Sequence, residues 1–233
     1  MRFDLSPELA ALQARARSVA ATTVRPVAAE IDRTAVVPPP VTAAIEALAI
    51  RGADALASVL MIEELAVASA SAAAWGGLGV AGPAAGLAGL RGVPRVTDPD
   101  RRQHLAMAAV CLGIGRAALE EALDAARARG DRPAGEPGAP PHWALADAAT
   151  EVDAARLLVQ ASAAGQGLPA PAVLACAATA ARHAVDAALR IVGAEGFAAG
   201  GTLERCVRDA RTACLIVGTE DGVRQAAADA LLA

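Results

Sequence analysis

Few residue types in this chain could do chemistry, and their spacing narrows what that chemistry could be. Cys111, Cys176, Cys206 and Cys214 form no Cys-x-x-Cys pair and sit inside apolar helical patterns, which predicts buried thiols in a reducing compartment. His104, His142 and His183 are scattered, without the His-Glu-x-x-His or comparable spacing of a metal site, so no metal is expected. The most informative stretches lie near the end of the chain: Val192-Gly-Ala-Glu-Gly-Phe197, Leu203-Glu-Arg-Cys-Val-Arg-Asp-Ala-Arg211 and Leu215-Ile-Val-Gly-Thr-Glu-Asp221. Carboxylates such as Glu195 and Glu220 can take up a proton as general bases. Arg208 and Asp209, adjacent in the second stretch, predict a structural ion pair or helix–helix contact rather than a substrate contact.

The composition excludes several partners. A net charge of −4 with interspersed signs leaves no basic stripe to neutralise phosphates, and Phe3, Trp75, Trp143 and Phe197 are too few to stack bases. Nucleic acid is therefore not expected. Every basic side chain among the Lys and Arg class is Arg, and Ala is abundant, which favours closely approaching helices. Residues 65–90 carry no charge, yet Ala, Gly, Ser and Pro83 fill the run, so a buried or interface-forming helix is expected rather than a membrane span. The amino terminus shows no apolar stretch with a cleavage site, and a cytoplasmic location is expected.

The elements that must position these groups read as helices throughout. Ser6-Pro7-Glu8 is a helix start, followed by Leu9, Leu12, Ala16 and Val19 on one face. Arg25-Pro26 is expected to interrupt that helix, with a short helical stretch to Arg33 and an extended connection over Val37-Pro-Pro-Pro40. Helices are predicted near 41–49 and 55–70, a short or broken one between 76 and 94, and a long one after Thr97-Asp-Pro-Asp100. Residues 130–141, rich in Gly and Pro, predict a loop. From 142 to 164, Leu145, Ala148, Val152, Ala155 and Val159 follow 3-4-3-4 spacing, and further helices are predicted at 171–192, after Thr202, and at 226–232. No alternating strand pattern occurs, so the fold class is all-α. Its parts are an amino-terminal helical domain, 1–92, and a carboxy-terminal up-down four-helix bundle, 93–233, or one merged all-α unit.

The three carboxy-terminal stretches resemble the acyl-CoA dehydrogenase family, whose members usually read GGxGY, an ERxxRDAR helix and an EGT turn. The likeness continues through Phe3-Asp-Leu-Ser-Pro-Glu8, Arg25-Pro-Val-Ala-Ala-Glu-Ile-Asp32, Met61-Ile-Glu-Glu-Leu-Ala66, Ala109-Val-Cys-Leu-Gly-Ile-Gly-Arg-Ala-Ala-Leu119 and Ala154-Ala-Arg-Leu-Leu158, and so covers nearly the whole chain. The order and spacing of the motifs carry the resemblance. Between the EELA and LGIGRAAL helices the family ordinarily has a β-domain, whereas here a short connection stands, so the resemblance implies a member with its middle β-domain deleted.

The family's chemistry removes an α-proton with a carboxylate while hydride passes to flavin. The resemblance places Val217 where the EGT turn presents its glutamate, and Gln103 at the alternative base position on the helix before LGIGRAAL. Neither side chain can accept the proton. Glu195 and Glu220 are the nearby carboxylates in sequence that could substitute only with a rearranged backbone. For FAD, the resemblance matches Arg127 to the arginine that reaches a neighbouring subunit's pyrophosphate and Thr219 to the hydroxyl of the GT turn, while Arg190 and Val223 replace usual glutamines. His104 stands where many members place an arginine near substrate. The resemblance thus implies a catalytically degenerate member: a non-catalytic or accessory subunit, homo-oligomeric or paired with a full-length acyl-CoA dehydrogenase, with acyl-CoA and a shared FAD as its ligands. An active FAD-dependent dehydrogenase with an unrecognised base and a ligand-free helical scaffold are the alternatives.

Overall fold

The computed structural model describes residues 4–79, 90, 93–128, 130 and 142–232. Most of the short or broken helix expected between 76 and 94, and all but Gly130 of the loop expected at 130–141, lie outside the described residues. Ten α-helices are found among the described residues: α1 (Pro7–Val19), α2 (Ala28–Thr34), α3 (Pro39–Glu46), α4 (Ala55–Ala68), α5 (Ala70–Leu78), α6 (Arg101–Ala128), α7 (His142–Ala163), α8 (Ala170–Val192), α9 (Thr202–Val217) and α10 (Glu220–Leu232). No strand occurs among the described residues, and the all-α expectation holds.

Local chemistry explains where the expected boundaries moved. The Ser6 hydroxyl accepts the Leu9 N–H and Pro7 opens α1, as the sequence predicts. The expected interruption at Arg25-Pro26 is instead a change of winding: a π turn, Ala20–Val24, passes into a 3-10 turn, Arg25–Val27, and the chain remains helical into α2. The wider turn lets Arg25 N–H bond back to Ala20, which accommodates a proline ring that an unbroken α-helix would push against a carbonyl. The extended reading of Val37-Pro-Pro-Pro40 holds as far as Pro38 and is corrected beyond it, because Pro39 and Pro40 form the first turn of α3, where a missing N–H costs nothing. The helix expected over 55–70 is α4, Ala55–Ala68, and a separate helix, α5, follows it. Ser69 ends α4 in extended conformation and its hydroxyl accepts the Ala72 N–H to start α5. The last helix starts at Glu220, earlier than predicted, because Thr219 caps it.

Long α6 is the axis of the molecule, packed by α4, α5, α7, α8 and α9; α7, α8 and α9 complete the four-helix bundle with it, and α10 lies on α8. The expected boundary at 92/93 falls in the connection between α5 and α6, and α4 from the amino-terminal side packs against both α6 and α7. α4 and α6 approach closely at Gly113, where an added Cβ would stand 2.3 Å from the Ala66 Cβ and 2.7 Å from the Glu63 carbonyl oxygen. This contact seats the middle of α4 directly on α6. The segment Ala170–Phe197 is long and apolar enough to cross a membrane by composition, but its apolar face, including Val173, Leu174, Ala177, Ala181 and Ile191, is buried in the fold. Three of the four cysteines are buried as expected; Cys176 is half-exposed, since its place on α8 faces partly outward.

Candidate functional site

The resemblance matches the turn after α9 to the one that carries the base. Val217 ends that helix with 3% of its surface exposed, packed in the core, and Gly218 follows in extended conformation with φ 159°. Thr219 turns its hydroxyl inward to accept the Gly222 N–H at 3.0 Å, capping α10. Glu220 is engaged twice, by Arg182 at 3.0 Å and Arg224 at 2.6 Å. Gln103, at the alternative base position, is part of a reciprocal cap: its amide oxygen accepts the Asp100 N–H at 2.9 Å and the Asp100 carboxylate accepts the Gln103 N–H at 2.8 Å. These bonds start α6. Glu195 is exposed on the 3-10 turn Gly193–Phe197. Of these candidates, Glu220 is ion-paired, Gln103 is neutral, and Glu195 stands on a separate exposed turn.

The two residues matched to flavin contacts stand far apart. Arg127 lies near the carboxy-terminal end of α6, 73% exposed and paired with Asp124 at 3.2 Å. Thr219 follows α9, whose Ile216 carbonyl accepts the Val96 N–H at 2.7 Å just before α6 begins. From the start of α6 to Arg127 the helix rises roughly 39 Å at 1.5 Å per residue. One flavin cannot touch Arg127 and Thr219 of the same chain. His104 is buried, with a ring nitrogen 2.9 Å from the Asp100 carbonyl, and Arg102 is spent on the Ile50 and Ala53 carbonyls and the Ser58 hydroxyl.

The strongest electrostatic feature is elsewhere and was not predicted from the sequence. Glu63 and Glu64, 1% and 2% exposed, project from α4 into a cluster of arginines from three helices. One Glu63 oxygen accepts from Arg116 and Arg156, both at 2.9 Å, and the other has no partner. Glu64 accepts from Gln13 at 2.8 Å, from Arg17 at 2.9 and 3.1 Å, and from Arg116 at 3.2 Å. Burial pushes the Glu64 carboxyl up, but the Arg17 and Arg116 contacts outweigh it and hold it below the usual carboxylate range. Arg116 is likewise raised, since Glu63 and Glu64 overcome its desolvation. The network joins α1, α4, α6 and α7. A signal existed in the sequence: Glu63 and Glu64 are the sole charges in residues 55–68, and Arg116 is the sole charge in 105–119.

A second charge group ties α9 to α2. Arg208 donates to both oxygens of Asp32, at 2.9 and 2.7 Å, and to Glu204, so the expected ion pair exists with partners other than Asp209. The Glu204 and Asp32 bonds raise the Arg208 pKa. Asp209 is buried and accepts the Leu90 N–H at 2.7 Å.

Comparison with known proteins agrees with this architecture. The family description "Acyl-CoA dehydrogenase, C-terminal domain" matches residues 92–232. The 3-sulfinopropanoyl-CoA desulfinase of Paraburkholderia xenovorans (strain LB400) is 39% identical over 138 residues, covering 56% of this chain and 35% of the desulfinase. The corresponding protein of Cupriavidus necator is 33% identical over 150 residues, covering 61% of this chain and 38% of its own length. The chain thus aligns with under two-fifths of the curated relatives it matches. Among solved structures, butyryl-CoA dehydrogenase from Megasphaera elsdenii superposes with a TM-score of 0.78 at 16% identity, covering 100% of both chains. A glutaryl-coenzyme A dehydrogenase gives 0.80 at 18% identity, covering 100% of this chain and 97% of the other. At such identities the superpositions establish the fold.

Proposed function

Since this chain belongs to the acyl-CoA dehydrogenase family, we propose that it acts in acyl-thioester metabolism in the cytoplasm as a non-catalytic or accessory subunit. Buried Val217 carries the reading. Abstraction of an α-proton needs an ionisable group within hydrogen-bond reach of the carbon, and the turn that should supply it ends in a hydrocarbon side chain inside the core. The carboxylate three residues on, Glu220, is held by two arginines. Gln103 is neutral and occupied in starting α6.

FAD, when bound in this family, accepts the hydride; the present chain offers Arg127 and Thr219 only at separate ends of α6. A shared site between chains fits that separation: Arg127 reaches one flavin and the turn at Thr219 faces another, each completed by a partner. The partner is a second copy or a full-length acyl-CoA dehydrogenase. An apolar groove of about 640 Å³ between the start of α1, α4 and α7, lined by Leu5, Leu9, Leu56, Leu157, Leu158 and Leu168, supports the need for a partner, since large exposed apolar patches mark association surfaces. Co-expression with a neighbouring full-length homologue tests the reading. The expected result is a colourless chain when purified alone and stoichiometric flavin in the purified pair. A yellow single chain whose flavin bleaches on adding acyl-CoA refutes it and favours an active dehydrogenase using Glu195 or Glu220.

A further inference from the structure

A single extended residue, Ser69, parts α4 from α5, with φ −158° and ψ 113°. A break of this kind strips backbone partners from both helix ends. In a continuous helix the carbonyls of Ala66, Val67 and Ala68 would accept from the N–H groups of residues 70–72, and the extended residue carries those groups away. At the start of α5 the Ser69 hydroxyl takes the Ala72 N–H and the Ser69 carbonyl takes that of Ala73, which leaves the N–H groups of Ala70 and Ser71 over. Among the described residues nothing bonds to these three carbonyls or these two N–H groups. Yet all five residues are buried.

Buried backbone groups are almost always paired, and where the protein supplies no partner an ordered water does. The break borders a cavity of about 20 Å³, room for one water, whose far wall is α9. On that wall Asp209 is 8% exposed; one of its oxygens accepts the Leu90 N–H, and the other takes no bond among the described residues. Asp32, also on the wall, is committed to Arg208 through both oxygens. We propose that one water molecule is held in this cavity as a fixed part of the fold, accepting from the α5 N–H groups and donating to the α4 carbonyls and the second oxygen of Asp209. The chemistry of the wall selects it. A bare cation could meet the carbonyls and the carboxylate but not an N–H, and an anion could meet the N–H groups but not the carboxylate. Water serves both kinds. It joins the α4–α5 break to α9, so the amino-terminal helices and the bundle share a polar joint beside their apolar packing.

Crystals of the whole chain, grown in sodium salts and again in thallium(I) salts, test the assignment. The expected result is one ordered peak in the cavity in both, with about three protein neighbours at about 2.7–3.2 Å, the Asp209 carboxylate among them, and no anomalous signal from thallium. In solution, oxygen-17 relaxation dispersion counts long-lived waters. Asp209→Leu, which replaces an acceptor by a hydrocarbon, should lower that count by one against the parent; if the variant fails to fold, the crystals of the parent decide. A dry cavity, an anomalous peak that marks a cation in place of water, or an unchanged count in folded Asp209→Leu overturns the proposal.

Discussion

Replacing Glu64 by alanine removes a carboxylate that joins α1, α4 and α6. Its two oxygens take bonds from Gln13 and Arg17 on α1 and from Arg116 on α6, at 2.8 to 3.2 Å, in a position 2% exposed. Breaking a buried ion pair by deleting one member costs about 3–5 kcal/mol, because the surviving charge stays desolvated. Here the two survivors differ. Arg17 is 61% exposed and recovers water at once, so its share is discounted toward the surface value. Arg116 is 21% exposed and keeps Glu63, so it loses one of two partners rather than both. The expected loss is accordingly at the low end, about 3 kcal/mol, which for a chain of this size lowers the melting midpoint by about 6–12 °C. Arg17→Ala should cost far less, about 1 kcal/mol, since Glu64 retains Arg116 and Gln13. The pH dependence has a definite sign. The Glu64 pKa is lowered in the folded chain, so its stabilisation is present above the ordinary 4.5 and is lost as pH falls through the folded value. Thermal and urea melts of the parent, Glu64→Ala and Glu64→Gln at pH 7 and pH 4 measure all of this. A Glu64→Ala midpoint within 1 °C of the parent at pH 7 would show that the network contributes nothing net.

Val217→Glu should not restore dehydrogenation; it buries an unpaired carboxylate, costs about 3 kcal/mol or more, and raises that carboxyl's pKa, so the deficit in urea melts is larger at pH 8 than at pH 5. Turnover of acyl-CoA by that variant would sink the account of the α9 turn. Gly113→Ala forces α4 away from α6, because its Cβ would meet Ala66 at 2.3 Å; a destabilisation of about 1–3 kcal/mol is expected, and an unchanged melting midpoint would contradict the close approach. Native-state alkylation followed by mass spectrometry should modify Cys176 well before Cys111, Cys206 and Cys214, which are buried and whose thiols burial pushes up.

Most helices were legible in the sequence because they are local. Ser6-Pro7 and the 3-4-3-4 spacing of Leu145 to Val159 each act over a turn or two, and the valine at position 217 is visible as a residue type. Proline was over-read as a helix breaker. At Pro26 a π turn absorbs the ring, and at Pro39 and Pro40 the helix begins on it, outcomes decided by winding and by position within the first turn. The charge clusters were harder still. Glu63 meets Arg156 across 93 residues and Asp209 meets Leu90 across 119, and no periodicity records such partners.

By itself, then, the sequence determined the helices, the all-α class and the residue type at position 217, which the resemblance matches to a base. It could do so because backbone propensity and apolar spacing act on neighbours, and because a valine cannot ionise anywhere. The tertiary structure alone decided that Val217 is sealed in the core, that Arg127 and Thr219 stand at separate ends of α6, and that Glu64 and Asp209 are buried. Those are properties of packing: whether a charge meets water or an arginine depends on which helix crosses which, and the close contact of Gly113 with Ala66 sets that crossing.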